Sequence, residues 1–208
     1  MPAWYLVMLN SIEHNGIVIY RNLLSNPQEM LQYILDAEAV SKVCKFERAL
    51  VVNPNGIEKD EWRTNEVLHL LRLDRLSEEV KKDEGVLALG DVYAQVHNMF
   101  NQCLHDYLVR FNFSLKESHD QGYQVLRYAN GGEYKRHMDD GPKTPRRVSG
   151  LMYLNGDYEG GELEFPYLNF TYKPYGGDLL LFPSGVPYMH AAKPVTSGTK
   201  YSVVSWWF

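Results

Sequence analysis

The sequence predicts an α+β chain with a mainly β core: a jelly roll of antiparallel strands flanked by N-terminal helices. Three observations predict it. After residue 120, short runs rich in β-branched and aromatic residues alternate with Gly and Pro, as in "YQVLRY", "RRVSGLMYLN", "GDYEGGELEF", "YKPYGGDLLLFPS" and "KYSVVSWWF". That texture belongs to short antiparallel strands in a small barrel or jelly roll. Ahead of it, apolar residues recur at helical spacing in two stretches. Finally, 208 residues with 45% hydrophobic content suit one core of ordinary composition. The expected organisation is a single domain over 1–208, with 1–122 as helical support and first strands and 123–208 as the jelly-roll core.

Taken in order, residues 17–20 read as a strand. In "SNPQEMLQYILDA", Asn26 can cap a helix, Pro27 suits its first position and Glu29 stands three after the cap. Met30, Leu31, Ile34 and Leu35 then form its apolar stripe. "NPNGIEKD", residues 53–60, reads as a turn-rich loop, and residues 64–82 as helical in part. Residues 91–111 give the clearest helix, with a stripe from Val92 through Val96, Phe100, Cys103 and Tyr107 to Phe111. His97 and His105 flank that helix and read as surface or satisfied polar groups.

Composition excludes some classes. A net charge of −5 is not the basic footprint of a nucleic-acid binder. Cys44 and Cys103 stand far apart, lack zinc-type spacing and read as buried thiols. "MPAWYLVML" has no basic leader region, and no apolar run approaches a membrane span. The expectation is a cytoplasmic protein without a membrane segment; oligomeric state stays open.

The chemistry concentrates in "YKRHMDD". If this stretch is extended, His137 and Asp139 project to one face and Met138 to the other. His190 follows the "GGDLLLFPS" strand far downstream. Two imidazoles and one carboxylate on one side of a metal leave the remaining positions open, as in non-haem Fe(II) oxygenases. His-x-Asp alone recurs by chance, and a zinc hydrolase could use the same set. On the last strand, alternation puts Lys200, Ser202, Val204 and Trp206 on one face. Facing outward, Lys200 would be solvated; facing inward, it would be a buried charge that needs an anion, which a bound dicarboxylate could supply. The loop "DGPKTPRRV", around residues 141–147, reads as a mobile lid. Its Arg146 and Arg147 read first as a solvated edge and second as contacts for substrate backbone or acidic groups.

With those residues on the page, the segment 123–207 resembles the catalytic core of Fe(II)/2-oxoglutarate-dependent dioxygenases, specifically the prolyl 4-hydroxylase-like group. The matching text is "YANGGEYKRHMDD", "MYLN", "GGELEF", "KPYGGDLLLFPS", His190 and "KPVTSGTKYSVVSWW", less than half of the chain. The resemblance implies a double-stranded β-helix form of jelly roll, with Fe(II) held by His137, Asp139 and His190. It implies that Lys200 grips the far carboxylate of 2-oxoglutarate, with Tyr153 as hydroxyl partner and Tyr128 nearby. It places Trp206 at the pocket wall, and Arg146 is assigned with it to the substrate pocket. The implied reaction uses O2 and 2-oxoglutarate, with ascorbate as reductant, hydroxylates a prolyl residue of a peptide or protein, and releases succinate and CO2. The same chemistry on a non-prolyl or small-molecule substrate is the second expectation, and a jelly-roll binding module without catalysis the third. Nucleic-acid demethylation is disfavoured by the acidic balance and by the lack of that group's paired downstream arginines. One departure stands out: Phe208 occupies the place where collagen-type enzymes carry a further His.

Overall fold

The computed structural model describes residues 9–53, 56–58, 61–116, 119–142 and 144–208, with 51–53 and 56–58 as backbone. The chain enters through a hairpin of β1 (Ser11–His14) and β2 (Ile17–Tyr20). Asn15 and Gly16 at its turn both have positive φ, 47° and 80°, as the favoured two-residue hairpin turns require. Helix α1 (Pro27–Val40) starts as expected: Asn26 Oδ1 accepts from Glu29 N, and Asn26 Nδ2 donates to Glu29 Oε2 at 2.8 Å. Met30, Leu31 and Ile34 are buried, with Ala37.

The next segment departs from expectation. Instead of a turn-rich loop over 53–60, a hairpin of β4 (Val51–Asn53) and β5 (Gly56–Glu58) follows the two-residue β3 (Glu47–Arg48). Residues 54, 55, 59 and 60 lie outside the described residues. Residues 64–82 are helical only in two short turns. They form β6 (Glu66–Leu70) and then two single 3-10 turns, 73–75 and 80–82. Val67, Leu68 and Leu70 are buried; pairing into the sheet overrides whatever local helix preference this stretch has.

Helix α2 (Glu84–Arg110) begins seven residues before the predicted start, because Asp83 caps it by accepting from Val86 N. Its buried stripe therefore opens with Val86 and Leu89. The far end also differs: Phe111 is the capping residue beyond the helix and is exposed, its ring 4.9 Å from Tyr107.

The β-rich half comprises β7 (Tyr123–Tyr128), β8 (Tyr134–His137), β9 (Val148–Tyr153), β10 (Glu159–Gly160), β11 (Leu163–Phe165), β12 (Phe170–Tyr172), β13 (Leu179–Pro183), β14 (His190–Ala192), β15 (Val195–Ser197) and β16 (Lys200–Trp207). The larger sheet runs β1-β2-β13-β9-β16-β7-β6-β3, and the smaller runs β12-β11-β14-β8. All pairs are antiparallel.

Both helices cover one face of the larger sheet, burying Ile34, Val96, Phe100 and Cys103 against Val125, Met152, Val203 and Trp207. Contact there is close: a Cβ on Gly150 would lie 2.7 Å from Phe100 and 2.9 Å from Leu181 and Trp207. The opposite face, together with the smaller sheet, encloses a cavity. Strand β16 serves both sides: Val203 and Trp207 enter the helix-side core, while Lys200, Ser202, Val204 and Trp206 line the cavity. Cys44 and Cys103 are buried free thiols. Among the described residues no helix is long and apolar enough to cross a membrane.

Candidate metal centre

His137 is the last residue of β8, and His190 is the first of β14, directly opposite it in the antiparallel register. Asp139 is not on the strand, contrary to the alternation argument: β8 ends at His137, and Asp139 lies in the bend that follows. The bend still turns its carboxylate inward, 7% exposed, and leaves Met138 outside at 41%. One ligand atom from each of His137, Asp139 and His190 lies within 4.8 Å of the others. His137 Nε2 is 3.6 Å from Asp139 Oδ1, and His190 Nε2 is 3.7 Å from Asp139 Oδ2.

The backbone fixes which imidazole nitrogens are available. His137 Nδ1 is 2.8 Å from the Lys135 carbonyl, and His190 Nδ1 is 3.1 Å from the Tyr188 carbonyl. A carbonyl only accepts, so Nδ1 carries the proton in each ring and the Nε2 lone pairs converge beside Asp139. Ser149 donates to Asp139 Oδ2 at 2.6 Å, and its oxygen is 2.8 Å from that of Ser184. Tyr134 stacks on His137 with ring centres 3.5 Å apart, while Phe165 and Phe182 pack against His190. Rings and outer hydrogen bonds of this kind hold metal-ligating side chains in orientation.

Burial would raise the Asp139 carboxyl, but His190 and His137 outweigh it and hold it below the usual range. The Ser149 hydroxyl helps, and more weakly the Trp206 indole N–H, which makes no regular hydrogen bond. Burial first, and then His190, push His137 down to about 3. A buried carboxylate beside a neutral imidazole, with two lone pairs aimed at one point, is the donor set of a divalent cation. Three protein donors leave further coordination positions open.

Lys200 is 2% exposed. Its ammonium donates to the Gly161 carbonyl at 2.6 Å and lies 5.3 Å from the ring centres of both Tyr128 and Tyr153. Burial, and then Lys173, push it down to about 7, against an opposing pull from Glu162. Among the described residues it has no carboxylate within ion-pair distance, and the buried Tyr153 hydroxyl has no hydrogen-bond partner among them. An ammonium and a hydroxyl, both buried and facing one cavity, fit an anionic oxygen ligand.

The cavity thus brings together His137, Asp139, His190, Lys200, Tyr128, Tyr153 and Trp206. Arg146 is not on its lining, yet neither is it a solvated edge. Its guanidinium lies 3.7 Å over Trp206, Nη1 is 3.9 Å from Asp139 Oδ1, and Nε donates to Gln121 at 2.7 Å. In the expected lid, Lys143 lies outside the described residues, and Gly141 and Thr144 exchange backbone hydrogen bonds of 3.0 Å. Phe208 is not on the cavity lining; its ring faces His119 at 5.6 Å. Sequence reasoning missed Ser149, Ser184, Tyr134 and Arg63. Tyr134 alone carried a signal, being an aromatic on the strand that ends in His137.

Comparison with known proteins agrees with this arrangement. Residues 123–208 match the family described as the 2OG-Fe(II) oxygenase superfamily. "Probable prolyl 4-hydroxylase 9" of Arabidopsis thaliana is 32% identical over 44% of this chain and 42% of its own length. A PKHD-type hydroxylase of Idiomarina loihiensis is 36% identical over 39% of each. The chain therefore spans less than half the length of these curated relatives. Among solved structures, a Trichoplax adhaerens prolyl hydroxylase in complex with a hypoxia inducible factor peptide fragment superposes with a TM-score of 0.65. It is 23% identical and covers 93% of this chain and 84% of that one. A Pseudomonas putida prolyl-4-hydroxylase gives a TM-score of 0.62 at 18% identity, covering 92% and 91%. At those identities the superpositions establish the fold, a jelly roll shared with prolyl hydroxylases. Residues 123–208 thus match the 2OG-Fe(II) oxygenase superfamily, and over part of its length the chain is similar in sequence to a probable prolyl 4-hydroxylase.

Proposed function

We propose that the protein is an Fe(II)- and 2-oxoglutarate-dependent dioxygenase that hydroxylates a prolyl residue in a peptide or protein, and that 1–208 act as one domain. One observation carries this reading: two Nε2 lone pairs and a carboxylate converge in the same cavity as a buried ammonium that has no carboxylate partner among the described residues. His137, Asp139 and His190 would hold the metal. Lys200 would bind the far carboxylate of the cosubstrate through a charge-assisted hydrogen bond, and Tyr153 would donate its hydroxyl to the same group. Tyr128, Leu151 and Leu163 wall the cavity and keep water away from the ammonium. Bound there, Fe(II), 2-oxoglutarate and O2 would supply an oxidative decarboxylation that puts one oxygen atom into succinate, releases CO2 and inserts the other oxygen atom into a C–H bond.

The prolyl substrate is supported by similarity to prolyl 4-hydroxylases in sequence and by the peptide-bound structural relative. The test is succinate release from 2-oxoglutarate with Fe(II) and ascorbate across proline-containing peptides, with mass spectrometry of the peptide. A gain of one oxygen on proline is the expected result. Release only with non-prolyl substrates would move the assignment to another side chain or a small molecule. No iron-dependent turnover with any substrate would favour a binding module.

A further inference from the structure

Two guanidinium groups lie near the candidate metal centre, Arg63 on the cavity lining and Arg146 just off it beside Asp139, and the proposed chemistry uses neither. Arg63, just ahead of β6, lines the cavity. Its Nε donates to Asn65 Oδ1 at 2.9 Å, and its guanidinium lies 4.9 Å from the centre of the Tyr134 ring, the ring that stacks on His137. Arg146 repeats the arrangement beside Asp139, with its guanidinium over Trp206. Among the described residues Arg63 has no carboxylate within ion-pair distance, and Arg146 has only Asp139. A chain of net charge −5 therefore places two guanidiniums beside its metal centre, each resting on an aromatic face. Stacked in this way, a guanidinium is held in place while its N–H edges stay available for a carboxylate.

We propose that the substrate carries a carboxylate close to the reacting residue, an acidic side chain flanking the prolyl position that docks against Arg63 and Arg146. This rests on the peptide-hydroxylase reading and narrows it to acidic peptides. The experiment uses pairs of labelled proline peptides that differ only by Asp against Asn, or Glu against Gln, at positions flanking the proline. Binding to the full chain is followed by fluorescence anisotropy at low and high salt. The acidic member should bind about tenfold tighter or more at low salt, as a charge-assisted hydrogen bond allows, and the difference should shrink at high salt. Arg63→Gln should reduce the acid-over-amide ratio towards one, and Arg63→Lys should restore part of it. Arg63→Glu should favour peptides with Lys in the flanking position.

Equal binding of acidic and amide peptides overturns the proposal, as does binding of neither, or a ratio unchanged in the Arg63→Gln Arg146→Gln double variant. A raised 2-oxoglutarate requirement in Arg63→Gln with the peptide ratio intact would assign the guanidinium to the cosubstrate and likewise overturn it. Acid preference in binding without iron-dependent succinate release would leave this inference standing and remove the oxygenase reading.

Discussion

Under the proposed function each residue of the candidate site has a separable task, and substitutions should distinguish them. His137→Ala and Asp139→Ala each remove one of three metal donors and should abolish turnover in the succinate assay. Lys200→Ala should instead raise the 2-oxoglutarate KM by roughly ten- to a hundredfold, the value of a charged hydrogen bond. Lys200 also sets a pH dependence. Its ammonium is pushed down to about 7, and a bound carboxylate favours the charged form, so binding takes up a proton above that pH. The KM for 2-oxoglutarate should stay level below pH 7 and rise by up to about tenfold per unit above it; a flat profile between pH 6.5 and 8.5 would exclude Lys200 from the role. Ser149→Ala leaves Asp139 without its 2.6 Å donor and should weaken metal binding by about 10–100-fold, read by Mn(II) titration. At this scale the sequence was informative where chemistry depends on residue type. His137, Asp139 and His190 stood out as ligand types and do converge, whereas alternation left the facing of Lys200 open and the fold turns it inward. Ser149 and Arg63 were not legible, since a serine on a strand and an arginine ahead of one look like any other until the fold brings them to the cavity.

Elements were legible in proportion to how locally they are determined. The Asn26-Pro27-Glu29 cap placed the start of α1 because cap and helix share one short stretch; Asn26→Ala should cost about 1 kcal/mol, measured by urea denaturation. The start of α2 was missed because Asp83 follows two 3-10 turns, and its capping role shows only in the bond to Val86 N. Strand β6, inside the stretch 64–82 read as helical in part, was not distinguished because its strand state comes from pairing with β7, far along the chain. β8 ends at His137, two residues short of Asp139, so strand alternation does not reach it. The helix-to-sheet contact at Gly150 yields a sharper prediction: the space for a side chain is already filled by Phe100, Leu181 and Trp207. Gly150→Val should overpack that layer and destabilise the protein by about 1–3 kcal/mol, read as a lowered urea midpoint.

For the molecule as a whole, ligand binding and stability are linked. Mn(II) with 2-oxoglutarate at a hundredfold excess over the dissociation constant should raise the melting temperature by roughly 5–10 °C, and excess EDTA should reverse it. No change would mean that the cavity does not take the pair. Strand β16 has a further consequence. Ser202 faces Leu126 on one neighbour and Tyr153 on the other, so the strand carrying Lys200 and Trp206 slots between partners that lie far upstream. Such non-local closures are entropically expensive and slow, on the order of milliseconds to seconds. The His137–His190 pairing of β8 and β14 is equally non-local, so both walls of the cavity take shape only when the two sheets close around it.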